Sequence, residues 1–276
     1  MAMSGATVGE AGGTASGAIL EFKARLARNE MVLGLNTPLG RTPEIGPIAR
    51  AGGYHWMLID DEHHPMPSDL AYNIALSAIR AGIMPIARPR SNSLHDIGAC
   101  LTNGALGVAV PHVNTEAQAM AAARACYYPP VGDLSVPGVI VQLGYDRYSL
   151  DEAAAAFNRE VVCIVMIESR EAVANVDAIA AVPGVHGLLI GASDLCFEMG
   201  LPGAYGDPRM IDAVQRVCTA ARANGKFVGM GGPKNPADWK RYIDFGVRMV
   251  MTENDLAMLL ARMKERTRYF LELGQS

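Results

Sequence analysis

The segment WMLIDDEHHP, residues 56–65, places a run of ionisable side chains directly after four apolar residues. These side chains belong to Asp60, Asp61, Glu62, His63 and His64. Burying several charges at the end of an apolar strand costs free energy unless a partner compensates them. The segment therefore predicts a site that holds a ligand or a metal ion.

Two further acids each stand at the end of an apolar run. Glu168 lies at the end of VVCIVMIES, residues 161–169, and Asp194 ends GLLIGASD, residues 187–194. A ligand set made only of carboxylate oxygens favours Mg²⁺ or Mn²⁺ over Zn²⁺. If the two strands are neighbours, the acids lie close together and predict a metal site. For each acid taken singly, a solvated loop carboxylate is the alternative interpretation.

Two other motifs are suited to binding an anion. Arg88, in IARPR, follows directly on an apolar run, and its guanidinium presents a fixed fork of donors to a carboxylate or enolate. A structural salt bridge to a neighbouring acid would explain the same motif. In IGASDL, small residues lead into a predicted helix start, and the amides near Ser193 and Asp194 could hold a substrate carboxylate.

The two adjacent histidines, His63 and His64, resemble a metal-ligand pair but point in different directions. Neighbouring residues of an extended chain face opposite sides, so at most one of the two rings faces the site. His63 stands beside Asp60 and Glu62, which could orient it as an acid or a base. A structural histidine is the alternative interpretation.

Eight short apolar runs recur along the chain, with alanine-rich, helix-like stretches between them. The runs cover residues 31–36, 56–60, 84–89, 105–111, 161–169, 187–194, 226–232 and 247–254. Continuous apolar runs are typical of parallel strands that are covered on both faces. Eight strand-helix repeats predict an α/β fold with a single TIM (β/α)8 barrel, and a doubly wound open sheet is the second candidate. In a TIM barrel, the residues named above would all lie at the carboxyl ends of the strands, where active sites are built.

Composition narrows the class of protein. The chain has 276 residues, of which 50% are apolar and 19% charged, and its net charge of −4 gives no reason to expect a nucleic-acid partner. Five scattered cysteines predict reduced thiols and a cytoplasmic protein. No apolar run approaches the roughly 20 residues of a membrane span, so no membrane partner is expected.

The domain organisation is predicted to be simple. We expect residues 1–17 to be a flexible leader. We expect residues 18–276 to form one catalytic domain, which begins with an amphipathic helix over residues 18–30. One segment, residues 127–158, interrupts the even spacing of the strands. Its length suits a lid or an oligomer contact.

The motifs LIDDEHHP, IARP, MIES and IGASDL, in this order, resemble the metal-dependent pyruvate aldolases of the HpcH/HpaI family. The resemblance implies a class II aldolase on a TIM barrel, which cleaves or forms 4-hydroxy-2-oxo acids through pyruvate and an aldehyde. It implies a divalent metal ion, Mg²⁺ or Mn²⁺ with Co²⁺ as a further candidate, and no organic cofactor. It also implies a homo-hexamer built as a trimer of dimers, in which the C-terminal helix packs on a neighbouring subunit.

The resemblance also implies roles for individual residues. Glu168 and Asp194 would bind the divalent ion, and Arg88 would stabilise the enolate oxygen. Backbone amides around Ser193 and Asp194 would hold the pyruvate carboxylate. His63 would act through water as the acid or base on the aldol hydroxyl.

Asp60 and Glu62 would support His63 in that role.

Two positions depart from the family pattern. Family members commonly have glutamine two residues before the metal glutamate, and this chain has Met166 there. The loop over residues 129–138 lacks the arginine that usually follows the Pro-Pro pair. These departures leave the natural aldehyde open.

Three other functions remain as alternatives. A Schiff-base aldolase needs a buried lysine, and Lys234 is the lysine at the expected end of the barrel. A related oxo-acid lyase or decarboxylase would use the same enolate site. A catalytically silent member would retain metal binding without turnover.

Overall fold

A computed structural model describes residues 15–145 and 149–274 of the chain. Eight parallel strands close into a barrel in chain order, and the last strand pairs with the first. The strands are β1 Val32–Asn36, β2 Trp56–Asp60, β3 Met84–Arg88, β4 Gly107–Val110, β5 Val162–Ile167, β6 Gly187–Ile190, β7 Phe227–Met230 and β8 Val247–Asn254. The predicted TIM barrel is confirmed, and the open-sheet alternative is wrong.

Helices cover the outside of the barrel, and several begin at a residue whose side chain caps the first turn. Ser93, Thr115 and Asn235 each accept a hydrogen bond from a backbone amide in the first turn of the following helix. The helices are α1 Ala15–Ala27, α2 Ile45–Ala51, α3 Ser68–Arg80, α4 Leu94–Thr102, α5 Glu116–Cys126, α6 Leu150–Glu160, α7 Arg170–Ala174, α8 Val176–Ala181, α9 Ala192–Glu198, α10 Pro208–Ala223, α11 Pro236–Phe245 and α12 Asp255–Leu273.

The interior of the barrel is filled by large side chains that require a small neighbour. Trp56 is fully buried, and its indole nitrogen donates a hydrogen bond to the Val32 carbonyl at 3.3 Å. A Cβ atom on Gly34 of the adjacent strand would lie 2.0 Å from the Trp56 ring. Glycine is therefore required at this position, because the indole occupies the space of any side chain.

The first helix closes the amino end of the barrel. Ile19 and Phe22 of α1 are buried among the interior side chains, and Phe22 packs edge-on against Phe227 with ring centroids 6.0 Å apart. The predicted leader lies outside the described residues except for residues 15–17, which belong to α1. The ionisable residues predicted to form the site lie at the other end, where the strands terminate.

One part of the irregular segment before β5 lies at the amino end of the barrel, away from the carboxyl ends of the strands. Residues 141–143 form a short 3-10 helix. The side-chain nitrogen Nε2 of Gln142 donates to the backbone carbonyls of Leu101 and Ala105 at 2.5 Å and 3.0 Å. Leu101 lies in the last turn of α4, and Ala105 lies in the loop that leads into β4 at its amino end. Residues 141–143 therefore do not act as a lid, because the buried Gln142 side chain fixes them to the end opposite the site residues.

The last helix, α12, extends from β8 and has no buried side chain. Its first residue, Asp255, accepts hydrogen bonds from the amides of Leu39 and Gly40, which ties the start of α12 to the loop after β1. The remainder of the helix presents apolar side chains to its surroundings. Across residues 15–145 and 149–274, no helix is long and apolar enough to cross a membrane.

Candidate active site

The ends of β2 and β3 bring Asp60 and Arg88 together. The two residues are paired in register, and both are almost completely buried. Arg88 Nε donates to Asp60 Oδ1 at 2.8 Å and Nη2 donates to Asp60 Oδ2 at 2.6 Å, which is the bidentate geometry of a strong ion pair. Burial alone would raise the pKa of Asp60, but the hydrogen bonds and charge of Arg88 hold that pKa below its ordinary value.

Asp60 also holds the turn that follows β2. Its Oδ1 accepts the backbone amides of Glu62 and His63 at 3.2 Å and 3.3 Å. Its Oδ2 lies 3.0 Å from Nδ1 of His64. With two arginine donors and three further contacts, this carboxylate is saturated, so its geometry suits positioning rather than proton transfer.

The structure separates the roles of the two adjacent histidines. The His64 ring contacts Asp60, whereas the His63 side chain is exposed and has no hydrogen bond to another described residue. The prediction that Asp60 and Glu62 orient the His63 ring is not met among the described residues, because Asp60 contacts His64 and Glu62 contacts Arg88 and His112. Sequence position beside Asp60 was therefore a poor guide to which ring touches it.

Glu168 follows β5 and is 5% exposed, which makes it the most enclosed acid after Asp60. A Cβ atom on Gly191 would lie 2.6 Å from the Glu168 Cβ and 2.7 Å from its Oε2, so glycine at 191 leaves the space that the carboxylate fills. Burial raises the pKa of Glu168; contacts with His112 oppose the rise, and the charges of Glu62 and Asp194 add to it. The charge of Asp194 is thus near enough to raise the pKa of Glu168, and their joint binding of a metal ion stays a prediction.

His112 joins two of the acids and was not among the predicted site residues. Its backbone amide donates to Glu168 Oε1 at 2.6 Å, and its ring nitrogens lie 3.1 Å from Glu168 and 2.9 Å from Glu62. The residue adopts a φ of 55°, in the left-handed region that non-glycine residues seldom occupy. Its place directly after the fourth apolar run was the signal available in the sequence, but nothing there indicated which acids it contacts.

Ser193 and Asp194 lie in the first turn of α9, at the rim of the barrel. Both are exposed, and Ser193 Oγ is 3.2 Å from the hydroxyl of Tyr205. Within the described ranges, no group of three or more His, Cys, Asp or Glu side chains is arranged to hold a metal ion. Any ion bound by Glu168 and Asp194 would thus take its remaining ligands from substrate and water.

Lys234 has the wrong surroundings for a Schiff base. Its side chain is 70% exposed, and its Nζ lies 2.8 Å and 2.9 Å from the two carboxylate oxygens of Glu253. A lysine that forms a Schiff base is activated by burial or by a neighbouring cation. The ion pair with Glu253 stabilises the protonated amine, so the geometry does not support this alternative.

The site as a whole carries more negative than positive charge. Four acids from three parts of the barrel contribute to it: Asp60, Glu62, Glu168 and Asp194. Arg88 is the guanidinium among them, and its Nη1 lies 3.2 Å from a carboxylate oxygen of Glu62. An arginine fixed in a fork by two acids can stabilise an anion at its remaining donors. The unbalanced carboxylates favour binding of a cation beside it.

Comparisons with known proteins identify the relatives of this chain. The family model described as HpcH/HpaI aldolase/citrate lyase matches residues 39–230. A 5-keto-4-deoxy-D-glucarate aldolase from Escherichia fergusonii is 33% identical over 241 residues, which are 86% of this chain and 91% of that protein. A 4-hydroxy-4-methyl-2-oxoglutarate aldolase from Chaetomium globosum is 29% identical over 239 residues, which are 85% and 89% of the two chains.

The fold is also shared with solved structures. The crystal structure of an HpcH/HpaI aldolase from Desulfitobacterium hafniense has a TM-score of 0.83 at 24% sequence identity, and the match covers 90% of this chain and 95% of that one. The family model and the sequence relatives confirm the resemblance carried by the four sequence motifs. Because the family model matches more than half of its length, the chain belongs to the HpcH/HpaI aldolase/citrate lyase family.

Proposed function

We propose that this aldolase cleaves or forms 4-hydroxy-2-oxo acids by way of a pyruvate enolate and an aldehyde. The observation that carries the proposal is the fork between Arg88 and Asp60, held beside the buried carboxylate of Glu168 at the open end of the barrel. The names of the two aldolase relatives both contain an oxo acid, which supports this class of substrate.

A divalent cation, Mg²⁺ or Mn²⁺ with Co²⁺ as a further candidate, would be held by Glu168 and Asp194. The fit rests on the buried Glu168 carboxylate, whose pKa is raised first by burial and further by neighbouring acids, because a cation would relieve that unfavourable charge. The donor set consists of oxygens, as these metals prefer. When bound, such an ion would supply Lewis-acid polarisation of the oxo group. No organic cofactor is proposed.

The chain's own residues would perform the remaining tasks. Arg88 would donate to the oxygen on which negative charge develops, and its fork with Asp60 holds it in place without reorganisation. His63 would take or return the proton of the aldol hydroxyl through water, since its exposed ring is uncommitted. The amides near Ser193 and Asp194 would bind the carboxylate of pyruvate.

The test combines pyruvate with a panel of small aldehydes, with and without a chelator. We expect condensation products that disappear with the chelator and return when Mg²⁺ or Mn²⁺ is added. Condensation that persists in the chelator would contradict the metal site but not the aldolase activity. Release of carbon dioxide from oxaloacetate without aldol turnover would identify a decarboxylase instead, and metal binding without turnover would identify a silent member.

We further propose that residues 18–276 act as one catalytic domain in a homo-hexamer, a trimer of dimers, with α12 packed on a neighbouring subunit. Support comes from the absence of buried side chains on α12 and from its exposed apolar residues Leu256, Leu259, Leu260, Met263 and Phe270. Light scattering coupled to size exclusion would measure the mass. We expect Leu260→Glu combined with Met263→Glu to lower it, and an unchanged mass would exclude α12 from the contact.

A further inference from the structure

Asn36, the last residue of β1, has a carbonyl oxygen that no part of the described chain satisfies. Within residues 15–145 and 149–274, Asn36 Oδ1 is the only buried side-chain nitrogen or oxygen without a hydrogen-bond partner. Leaving such a group unpaired costs about 1–3 kcal/mol, and native proteins seldom do so without a reason. The atom therefore points to a donor that the protein itself does not provide.

The register of the strands places Asn36 on the floor of the candidate active site. Asn36 pairs with Leu58, which pairs with Ile86 on β3, and both partners face the barrel interior. Because the strands of such a barrel are tilted with a shear of about 8, the paired residue on each next strand lies about one residue lower along the barrel axis. Arg88, two residues beyond Ile86, thus lies level with Asn36, and Met166 of β5 lies in the same layer by the same steps.

The neighbours in this layer do not satisfy the oxygen. Each nitrogen of the Arg88 guanidinium contacts Asp60 or Glu62 and none donates to Asn36, and Met166 has no donor. On the adjacent strand β8, Asn254 Oδ1 accepts the amide of Ala257 at the start of α12, and the Asn254 side chain does not donate to Asn36. A group that enters the barrel mouth, water in the free protein and a ligand in the complex, is the remaining source of a donor.

The position around the barrel indicates which part of a ligand reaches Asn36. Glu168 follows β5, and β1 stands on the opposite side of the eight-stranded ring. A substrate whose oxo-acid half is bound near Glu168 and Asp194 extends its other half towards β1 and β8. This step rests on the function proposed above.

We propose that Asn36 is a specificity residue whose Oδ1 accepts a hydrogen bond from a hydroxyl group on the aldehyde half of the substrate. The oxygen can only accept, so the ligand must supply an O–H, which carboxylates and unsubstituted alkyl groups lack. The preferred acceptors are therefore aldehydes that carry a hydroxyl next to the reacting carbonyl.

The test compares glycolaldehyde with acetaldehyde, which differ by one hydroxyl, as acceptors for pyruvate. In Asn36→Ala we expect the ratio of kcat/KM for glycolaldehyde to that for acetaldehyde to fall about 3- to 10-fold, chiefly through a higher KM for glycolaldehyde. Asn36→Ser is the second variant, in case the alanine variant folds poorly, and it should lower the same ratio. Asn224→Ala, at the far end of the barrel, is the matched control and should leave the ratio at the wild-type value.

Exchange of the pyruvate methyl protons in D₂O with Mg²⁺, measured without any aldehyde, separates this inference from the proposed function. Wild-type protein that does not exchange these protons contradicts the proposed enolate chemistry. If the wild type exchanges these protons but either folded Asn36 variant keeps the wild-type acceptor ratio, the enolate chemistry stands and only the role of Asn36 is contradicted.

Discussion

Gly191→Ala is the sharpest perturbation that the structure offers, because it adds one methyl group directly against a site carboxylate. The new Cβ would lie 2.6 Å from the Glu168 Cβ and 2.7 Å from its Oε2. The Glu168 Cβ is fixed to the backbone, so it cannot rotate away as the end of a flexible side chain could. Gly191 has a φ of −78°, which alanine adopts readily, so the effect is steric rather than conformational.

The size of the effect follows from ordinary contact distances. Carbon atoms pack at about 3.5–4.0 Å, so Glu168 and the turn at 191 must separate by about 1 Å. A displacement of about 1 Å at a reacting centre can lower the rate about 100-fold. Overpacking of this kind typically destabilises a protein by about 1–3 kcal/mol. We therefore expect kcat/KM for aldol cleavage to fall about 100-fold while the protein remains folded.

Steady-state cleavage of a 4-hydroxy-2-oxo acid, Mn²⁺ titration by calorimetry and thermal unfolding would be measured together. Gly138→Ala is the matched control, because a Cβ atom there meets nothing within 4 Å and its φ is not in the left-handed region. It should behave as the wild type in all three measurements. If Gly191→Ala retained wild-type kcat/KM and Mn²⁺ affinity, the carboxylate would not depend on the space at 191, and the reasoning would be refuted.

Two further predictions concern buried charge and pH. Asp60→Asn removes the negative partner of the buried Arg88, so we expect the free energy of unfolding, measured in urea, to fall by about 3 kcal/mol and turnover to fall with it; an unchanged unfolding curve would contradict the importance of the fork. Burial, reinforced by two nearby lysines, lowers the pKa of His186 to about 4. Because the unfolded chain binds that proton at higher pH, stability is complete above about pH 6.5 and is lost towards pH 4. His186→Gln should reduce this loss by up to about 3 kcal/mol in urea unfolding at a series of pH values, and an identical pH profile would argue against the assignment.

Several boundaries of the fold could be predicted because they depend on local pattern. The run WMLID coincides with β2, and VRMVMTEN coincides with β8. In both cases the first and last residues of the run are those of the strand. The run GLLIGASD was less informative. The strand within this run ends at Ile190, and a helix begins at Ala192. The turn between them, at Gly191, leaves space for the side chain of Glu168, which follows β5.

The pairing of the site residues was less predictable. Arg88 lies beside Asp60 because β2 and β3 are adjacent in the chain and in the barrel, and the charge of Asp194, after β6, raises the pKa of Glu168, after β5. The contacts of His112 and His64 were not foreseen, since ring orientation depends on the turn after each strand. The roles of these residues in catalysis stay predictions.

The sequence by itself determined the order of strands and helices, and from that order the barrel and the end at which the chemistry lies. Apolar runs of strand length and capped helices are local features, and a barrel in chain order has few ways to close. Only the tertiary structure decided that His112 joins Glu62 and Glu168 and that Asn36 stands level with Arg88. Those contacts depend on the tilt and closure of the barrel, which bring together side chains that no local pattern of the chain relates.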